Sequence, residues 1–168
     1  MSRYSVQLLT SDHIRKEFSC KHPSLENYIV KYVTQDVKRK LAACYVVTNE
    51  SNEVIGYYTL STDSIESDVV SEAIKKKMPP GYKNLPATLL GRLAVTNDFQ
   101  SKGIGQLLLV DALQRSYANS LIIASMAVIV DPIDLNAESF YLKYGFIKLP
   151  DSGKMFIAMK TLAYLTKK

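Results

Sequence analysis

The stretch Gln100-Ser101-Lys102-Gly103-Ile104-Gly105 carries residue types suited to holding phosphate. The apolar run Arg92-Leu93-Ala94-Val95 precedes it and a helical pattern follows it. The first turn of a helix leaves backbone N–H groups without partners, and the helix dipole adds partial positive charge there. An anion satisfies both, provided no β-carbon blocks its approach. Gly103 and Gly105 remove those β-carbons, and Lys102 adds a flexible cation. The alternative is a plain turn, for which a single glycine usually suffices. The segment lacks the G-x-x-x-x-G-K-[ST] of a P-loop. It also lacks the third glycine and the downstream acidic residue of a dinucleotide fingerprint.

The elements around this loop follow from the hydrophobic pattern. Leu25, Tyr28, Ile29, Tyr32, Val33 and Val37 recur at helical spacing, with Ser24 placed to cap the helix. Its outer face and end are basic, with Lys31, Lys38, Arg39 and Lys40. "AACYVVTN" and "EVIGYYTLS" read as two strands joined by the turn "NESNE". Ser61 to Pro86 is polar and irregular, with a short helix at "DVVSEAIKKKM" and a breaker at "KKKMPPGYKNLP". "ATLLGRLAV" is nearly continuous in apolar residues, the mark of a central strand. Ile104, Leu107, Leu108 and Leu113 then share one side of a helix, and "LIIASMAVIV" reads as a helix end running into a buried strand. "NAESFYLKYGF" is a short helix with Ala137, Phe140, Tyr141 and Tyr144 on its apolar side, and "KMFIAMK" is a last strand. The fold class is a mixed α/β (α+β) sheet with at least one crossover, expected as a single domain over residues 1–168.

With 168 residues, 47% of them apolar, the chain can bury a core without metal or disulfide staples. Cys20 and Cys44 have no C-x-x-C spacing and read as free thiols of a reducing compartment. His13 and His22 lack metal-ligand spacing and suggest surface or capping roles, so no metal is expected. No stretch approaches the roughly 18 apolar residues of a membrane span, and the N-terminus has no long apolar leader, which implies a cytoplasmic protein. A net charge of +5 admits an anionic partner but does not require one.

"RLAV", "QSKGIG", the long helix, "SMAVIV" and "NAESFYLKYGF", in this order, resemble the GNAT N-acetyltransferase superfamily. The resemblance implies the acyl-CoA N-acyltransferase fold, whose mixed sheet is splayed at the cofactor site, and acetyl-CoA as the acetyl donor. It would place the cofactor's pyrophosphate on the amides of Gln100, Ser101, Lys102, Gly103, Ile104, Gly105 and Gln106, and its pantetheine arm beside Leu93, Ala94 and Val95. The Val95 N–H would polarise the thioester carbonyl. Asn136, Phe140 and Tyr144 would lie near the cofactor, and Tyr141 would protonate the departing thiolate. A phenol with a pKa of about 10 stays protonated at neutral pH yet can release its proton to a thiolate.

An acceptor amine must be neutral to attack. "ATLLGRLAV" offers no carboxylate base, and Asp98 lies past its end. A lysine amine, with a pKa of about 10.4, is almost wholly protonated at pH 7, whereas an α-amine at about 7.7–8.0 is neutral roughly a tenth of the time. A low-pKa amine is therefore favoured. "FSCKHPSLENYIVKYVTQDVKRK", "GYYTLS", "LPATLLGRLAV" and "FYLKYGF" resemble the GNAT toxins of toxin–antitoxin pairs, with Cys20-Lys21 where that pattern has Cys-Gly. This narrower resemblance implies acetylation of the α-amine of aminoacyl-tRNA, a ribbon-helix-helix antitoxin as partner, and a homodimer. Lys31, Lys38, Arg39, Lys40 and Lys75 to Lys77 could follow a tRNA backbone, and Arg92 could meet the substrate or pair with a carboxylate. A small-molecule amine, a protein N-terminus or lysine, or an idle fold that only binds CoA or a partner are the alternatives.

Overall fold

A computed structural model of the chain describes residues 3–76 and 81–166. The end of the lysine run, Lys77, and the breaker residues Met78 to Pro80 lie outside the described residues. The strands are β1 (Gln7–Leu8), β2 (Ala43–Thr48), β3 (Val54–Glu66), β4 (Asn84–Val95), β5 (Ala127–Val130), β6 (Ile147–Lys148) and β7 (Met155–Ala158). They form one mixed sheet in the order β1-β2-β3-β4-β5-β7-β6. β1, β2 and β3 pair antiparallel in sequence, β4 and β5 are parallel, and β7 is antiparallel to both β5 and β6. The parallel step is bridged by helix α4 (Ile104–Ser120), as a crossover requires. The chain packs as two units, Met1–Ser61 with Leu90–Ala112 and Thr62–Leu89 with Leu113–Lys168; β3, β4 and α4 run through both.

In the first unit, the β2–β3 hairpin closes on Asn49, whose side-chain oxygen accepts from the amides of Ser51 and Glu53 at 3.0 Å each. The first helical segment is interrupted: α1 (Pro23–Asn27), a π turn (Tyr28–Tyr32) and α2 (Val33–Lys38). Its N-cap is His22, with no side-chain cap bond, and not Ser24. Pro23 explains the shift, because its ring presets the helical φ at the first position and forces the residue before it to be extended. Phe18, Tyr28, Ile29, Val33, Cys44, Val46, Val54, Tyr57 and Ala94 form the core of this unit. His13 is buried rather than on the surface, and its Nδ1 accepts from the Thr10 amide at 2.9 Å.

Gly56 marks where α4 meets the hairpin. A β-carbon there would lie 3.0 Å from Ile104 Cγ2, 3.0 Å from Leu108 Cδ1 and 3.5 Å from the Ala94 carbonyl oxygen. Leu108 Cδ1 ends a flexible side chain, but Ile104 Cγ2 sits on a branched β-carbon that the helix backbone fixes, so relief needs a shift of the helix itself. Gly56→Ala is expected to lower stability by about 1–3 kcal/mol, the usual penalty of overpacking, read as a fall in Tm.

In the second unit, Ile65, Val70, Leu85, Ala87, Ala127, Ile129, Leu149 and Phe156 form the core. Thr88 Oγ1 and Ser125 Oγ share a hydrogen bond at 2.9 Å beside the β4–β5 pairing. Several expectations are corrected here. Much of the segment from Ser61 to Pro86 is strand, because β3 continues to Glu66 and β4 begins at Asn84; the helical part is a 3₁₀ turn at Ser67–Val69 and α3 (Glu72–Lys75). Alternating burial carries β3 onward through polar residues, with Ile65 inside and Ser64 and Glu66 outside. Helix α4 stops at Ser120, so Leu121, Ile122 and Ile123 are not a helix end. The amides of Ile122 and Ile123 share the Asn119 carbonyl, and the three apolar side chains stand 66–82% exposed. The last strand is followed by a helix, α6 (Met159–Thr166).

Candidate functional site

The glycine loop is built from the end of β4. The Thr96 amide donates to the Ile55 carbonyl at 2.9 Å, a 3₁₀ turn spans Asn97–Phe99, and the Gln100 side-chain amide donates back to the Val95 carbonyl at 3.2 Å. Gln100 and Val95, grouped in one site by the sequence pattern, are thus also joined directly, a brace that their spacing does not reveal. A second brace joins residues far apart in sequence. The Ser19 amide donates to Thr96 Oγ1 at 3.1 Å, and the Ser19 carbonyl accepts from Thr96 Oγ1 at 3.0 Å and from the Asn97 amide at 2.8 Å.

Beyond Gln100 the backbone turns through two left-handed residues, Ser101 at φ +60° and Gly103 at φ +81°. The Leu107 amide donates to the Gly103 carbonyl at 3.1 Å and opens the α4 ladder. Among the described residues, no backbone carbonyl takes the amides of Ser101, Lys102, Gly103, Ile104, Gly105 or Gln106. Buried Ile104 anchors the turn, whereas Gln100, Ser101, Lys102, Gly103 and Gln106 are exposed. A β-carbon at Gly103 would meet nothing within 4 Å, so the space above it is open to a ligand. Lys102 Nζ lies 4.9 Å from the Phe99 ring centroid, which holds its charge beside the loop. Unpaired amides, open space and a cation together fit a diphosphate. On β4, Ala94 is buried in the core while Leu93 and Val95 are half-buried.

Asn136, Phe140, Tyr141 and Tyr144 come together on α5 (Leu135–Lys143) and its cap. Asp134 caps the helix by accepting from the Ala137 amide at 2.8 Å. At the other end Gly145, at φ +94°, lets the Gly145 and Phe146 amides reach the Leu142 and Tyr141 carbonyls, a Schellman closure. That closure sets Phe146 against the Tyr141 ring, with centroids 5.2 Å apart, while Phe140 lies edge-on to Tyr141 and Tyr144 at 5.4 and 5.1 Å. Asn136 is exposed in the first turn.

Tyr141 stands apart from the other buried tyrosines. Tyr28 donates to Asp36 Oδ2 at 3.0 Å, Tyr57 to the Leu25 carbonyl at 2.6 Å, and Tyr58 to Asp111 Oδ2 at 2.6 Å. The Tyr141 hydroxyl has no protein acceptor among the described residues, yet it is not a buried unpaired atom. Its ring is sunk and its oxygen reaches solvent. Burial pushes the Tyr141 phenol above its ordinary range, so the proton stays on at neutral pH.

Neither cysteine is a ready nucleophile. Burial drives the Cys44 thiol up to about 12, and Cys20 is raised as well, chiefly by burial. Among the described residues no cluster of three His, Cys, Asp or Glu side chains is placed to hold a metal ion, and no helix is long and apolar enough to cross a membrane. Lys31, Lys38, Arg39 and Lys40 are exposed, and Lys75 pairs with Asp68 at 3.6 Å on the surface.

The profile of the acetyltransferase (GNAT) domain matches residues 40–148, well over half of the chain. The chain belongs to the GNAT acetyltransferase family. Within that family it is 30% identical, over 162 residues and 95% of both chains, to a tRNA-acetylating toxin of Mycobacterium tuberculosis (strain ATCC 25618 / H37Rv). It is similar in structure to AtaT complexed with acetyl-methionyl-tRNAfMet, with a TM-score of 0.89 and 26% identity, covering 97% of this chain and 99% of the other. It is also similar to AtaTR bound with AcCoA, with a TM-score of 0.84 and 25% identity over 97% and 98% of the two chains. The mixed sheet is therefore a GNAT sheet. Its β4 carries no Asp or Glu from Asn84 to Val95, and Asp98 is exposed in the following turn.

Proposed function

We propose that this GNAT enzyme acetylates the α-amine of aminoacyl-tRNA and so blocks translation. The observation that carries this reading is its end-to-end likeness to a tRNA-acetylating toxin, not confined to the cofactor-binding half. The chemistry of the chain agrees. Without a carboxylate on β4, an α-amine, neutral roughly a tenth of the time at pH 7, is favoured as acceptor over a lysine, which is almost wholly protonated.

Acetyl-CoA supplies the activated acetyl group. In this reading the amides from Ser101 to Gln106 hold its diphosphate, with Lys102 adding charge, and Leu93, Ala94 and Val95 line its arm. Contrary to the sequence expectation, the Gln100 amide is taken by the Asn97 carbonyl at 3.3 Å. The Val95 amide donates to the carbonyl oxygen as negative charge develops there. Tyr141 holds a proton on its hydroxyl and gives it to the leaving sulfur. Asn136, Phe140 and Tyr144 support the cofactor from α5. The amine attacks directly, because the cysteines are neutral thiols without a base. Lys31, Lys38 and Arg39 follow the RNA backbone. The enzyme works in the cytoplasm, where charged tRNA is, as a homodimer restrained by a ribbon-helix-helix antitoxin.

Incubating the enzyme with labelled acetyl-CoA and a charged tRNA pool tests the reading. Label is expected on tRNA and, after mild alkali, on free N-acetylamino acids. Label that stays off charged tRNA but enters peptides or polyamines would overturn it.

A further inference from the structure

We infer that Arg92 receives a backbone phosphate of the acceptor RNA, and that Tyr28 and Asp36 position it for that task. The inference rests on the tRNA reading above. The Arg92 guanidinium carbon lies 3.5 Å from the centroid of the Tyr28 ring. That ring is itself held: it is 4% exposed, its hydroxyl donates to Asp36, and it stacks on Tyr57 at 6.3 Å with an interplanar angle of 20°. The phenol occupies an Asp36 oxygen, and no carboxylate lies within ion-pair distance of Arg92 among the described residues. Nor does any protein acceptor there take its N–H groups.

A half-buried cation in a folded protein is usually paired. Arg92 instead has one face covered by an aromatic ring and its in-plane donors unspent. Stacking fixes the plane of a guanidinium, and an open fork in a fixed plane suits a two-point grip on an oxyanion. The anions common to every charged tRNA are its phosphodiesters, so a phosphate is the group assigned here. Lys38 and Arg39 follow Asp36 in the same segment and are exposed, which adds positive charge to the helix that carries Asp36.

The test is charged-tRNA binding and acetylation across a salt series with the full-length chain. Arg92→Gln is expected to reduce the slope of log affinity against log salt by about 0.7–0.9, the share of one phosphate contact. It should also raise KM for charged tRNA about tenfold with kcat retained. Arg92→Lys should restore the slope but not the full KM, because it returns the charge without the fork. Tyr28→Phe keeps the ring but loses its bond to Asp36, and Tyr28→Leu loses the platform. Both keep the Arg92 charge, so both should keep the slope and raise KM as Arg92→Lys does, Tyr28→Phe by less than Tyr28→Leu. Heat of acetyl-CoA binding reports that each variant is folded; if Tyr28→Leu fails that check, Asp36→Ala, which breaks the same bond as Tyr28→Phe, carries the test with the KM rise expected of Tyr28→Phe. A wild-type slope and KM in Arg92→Gln would overturn the phosphate assignment. A wild-type KM in folded Tyr28→Leu or Asp36→Ala would overturn the positioning role. Wild-type enzyme that leaves charged tRNA unlabelled would overturn the tRNA reading itself and this inference with it.

Discussion

Tyr141→Phe is expected to lower the acetylation rate by about 10²–10⁴ while leaving acetyl-CoA affinity unchanged. The reason is the division within this side chain. Its ring packs on Phe140 and Phe146, and phenylalanine preserves that packing. Its hydroxyl does nothing for the fold, having no protein acceptor among the described residues, so its loss should fall on chemistry alone. The pH profile supplies a second readout. Burial raises the Tyr141 pKa, and an acid with a raised pKa keeps its proton further into alkali. The wild-type rate should therefore climb as the acceptor amine deprotonates, at about pH 7.7–8.0, and stay flat to about pH 10 with no alkaline fall. Tyr141→Phe should keep the climb at a lower plateau. Unaltered turnover, measured with labelled acetyl-CoA, would take Tyr141 out of the mechanism.

Gly103→Val is expected to weaken acetyl-CoA binding by about 100-fold or more, from the loss of two or more charge-assisted hydrogen bonds. The protein would tolerate the new side chain sterically, since nothing lies within 4 Å of the β-carbon position. Two effects remain. At φ +81° a β-branched residue is strained by about 1–2 kcal/mol. The side chain would also fill the space over the unpaired amides, where the diphosphate has to come. Gly153 separates these effects, because it too has a positive φ, +73°, and open space around it. Gly153→Val should cost similar stability and leave cofactor binding intact, measured by calorimetry. Equal affinity losses in both variants would mean that strain, not obstruction, explains Gly103.

What the sequence revealed was what is encoded locally. The glycine loop was legible because positive-φ turns and helix mouths leave short signatures. The α5 end was legible because a glycine after an apolar helix closes it, as Gly145 does. β4 announced itself by an apolar run that only a central strand can bury. The unread parts depend on partners distant in the chain. Ser19 and Thr96 clasp each other across 77 residues, and no spacing rule links them. Tyr28, at helical spacing, counted as core; its second task as a platform for Arg92 needed the fold. His13 read as a surface or capping residue; it takes up the Thr10 amide, and its burial left no pattern in the sequence. Pro23 outvoted Ser24 at the helix start, and the two-residue strands β1 and β6 are too short to show periodicity.

The π turn at Tyr28–Tyr32 inserts an extra residue between the aromatic platform and α2. A residue added to a continuous α-helix would swing everything downstream by about 100°, and a π turn takes up that residue locally. Loss of one residue there should therefore straighten the segment into regular α-helix and leave Asp36, Lys38 and Arg39 on their present faces. The basic end of α2 is thus buffered against a one-residue change at this turn, and not against the same change within α2 itself.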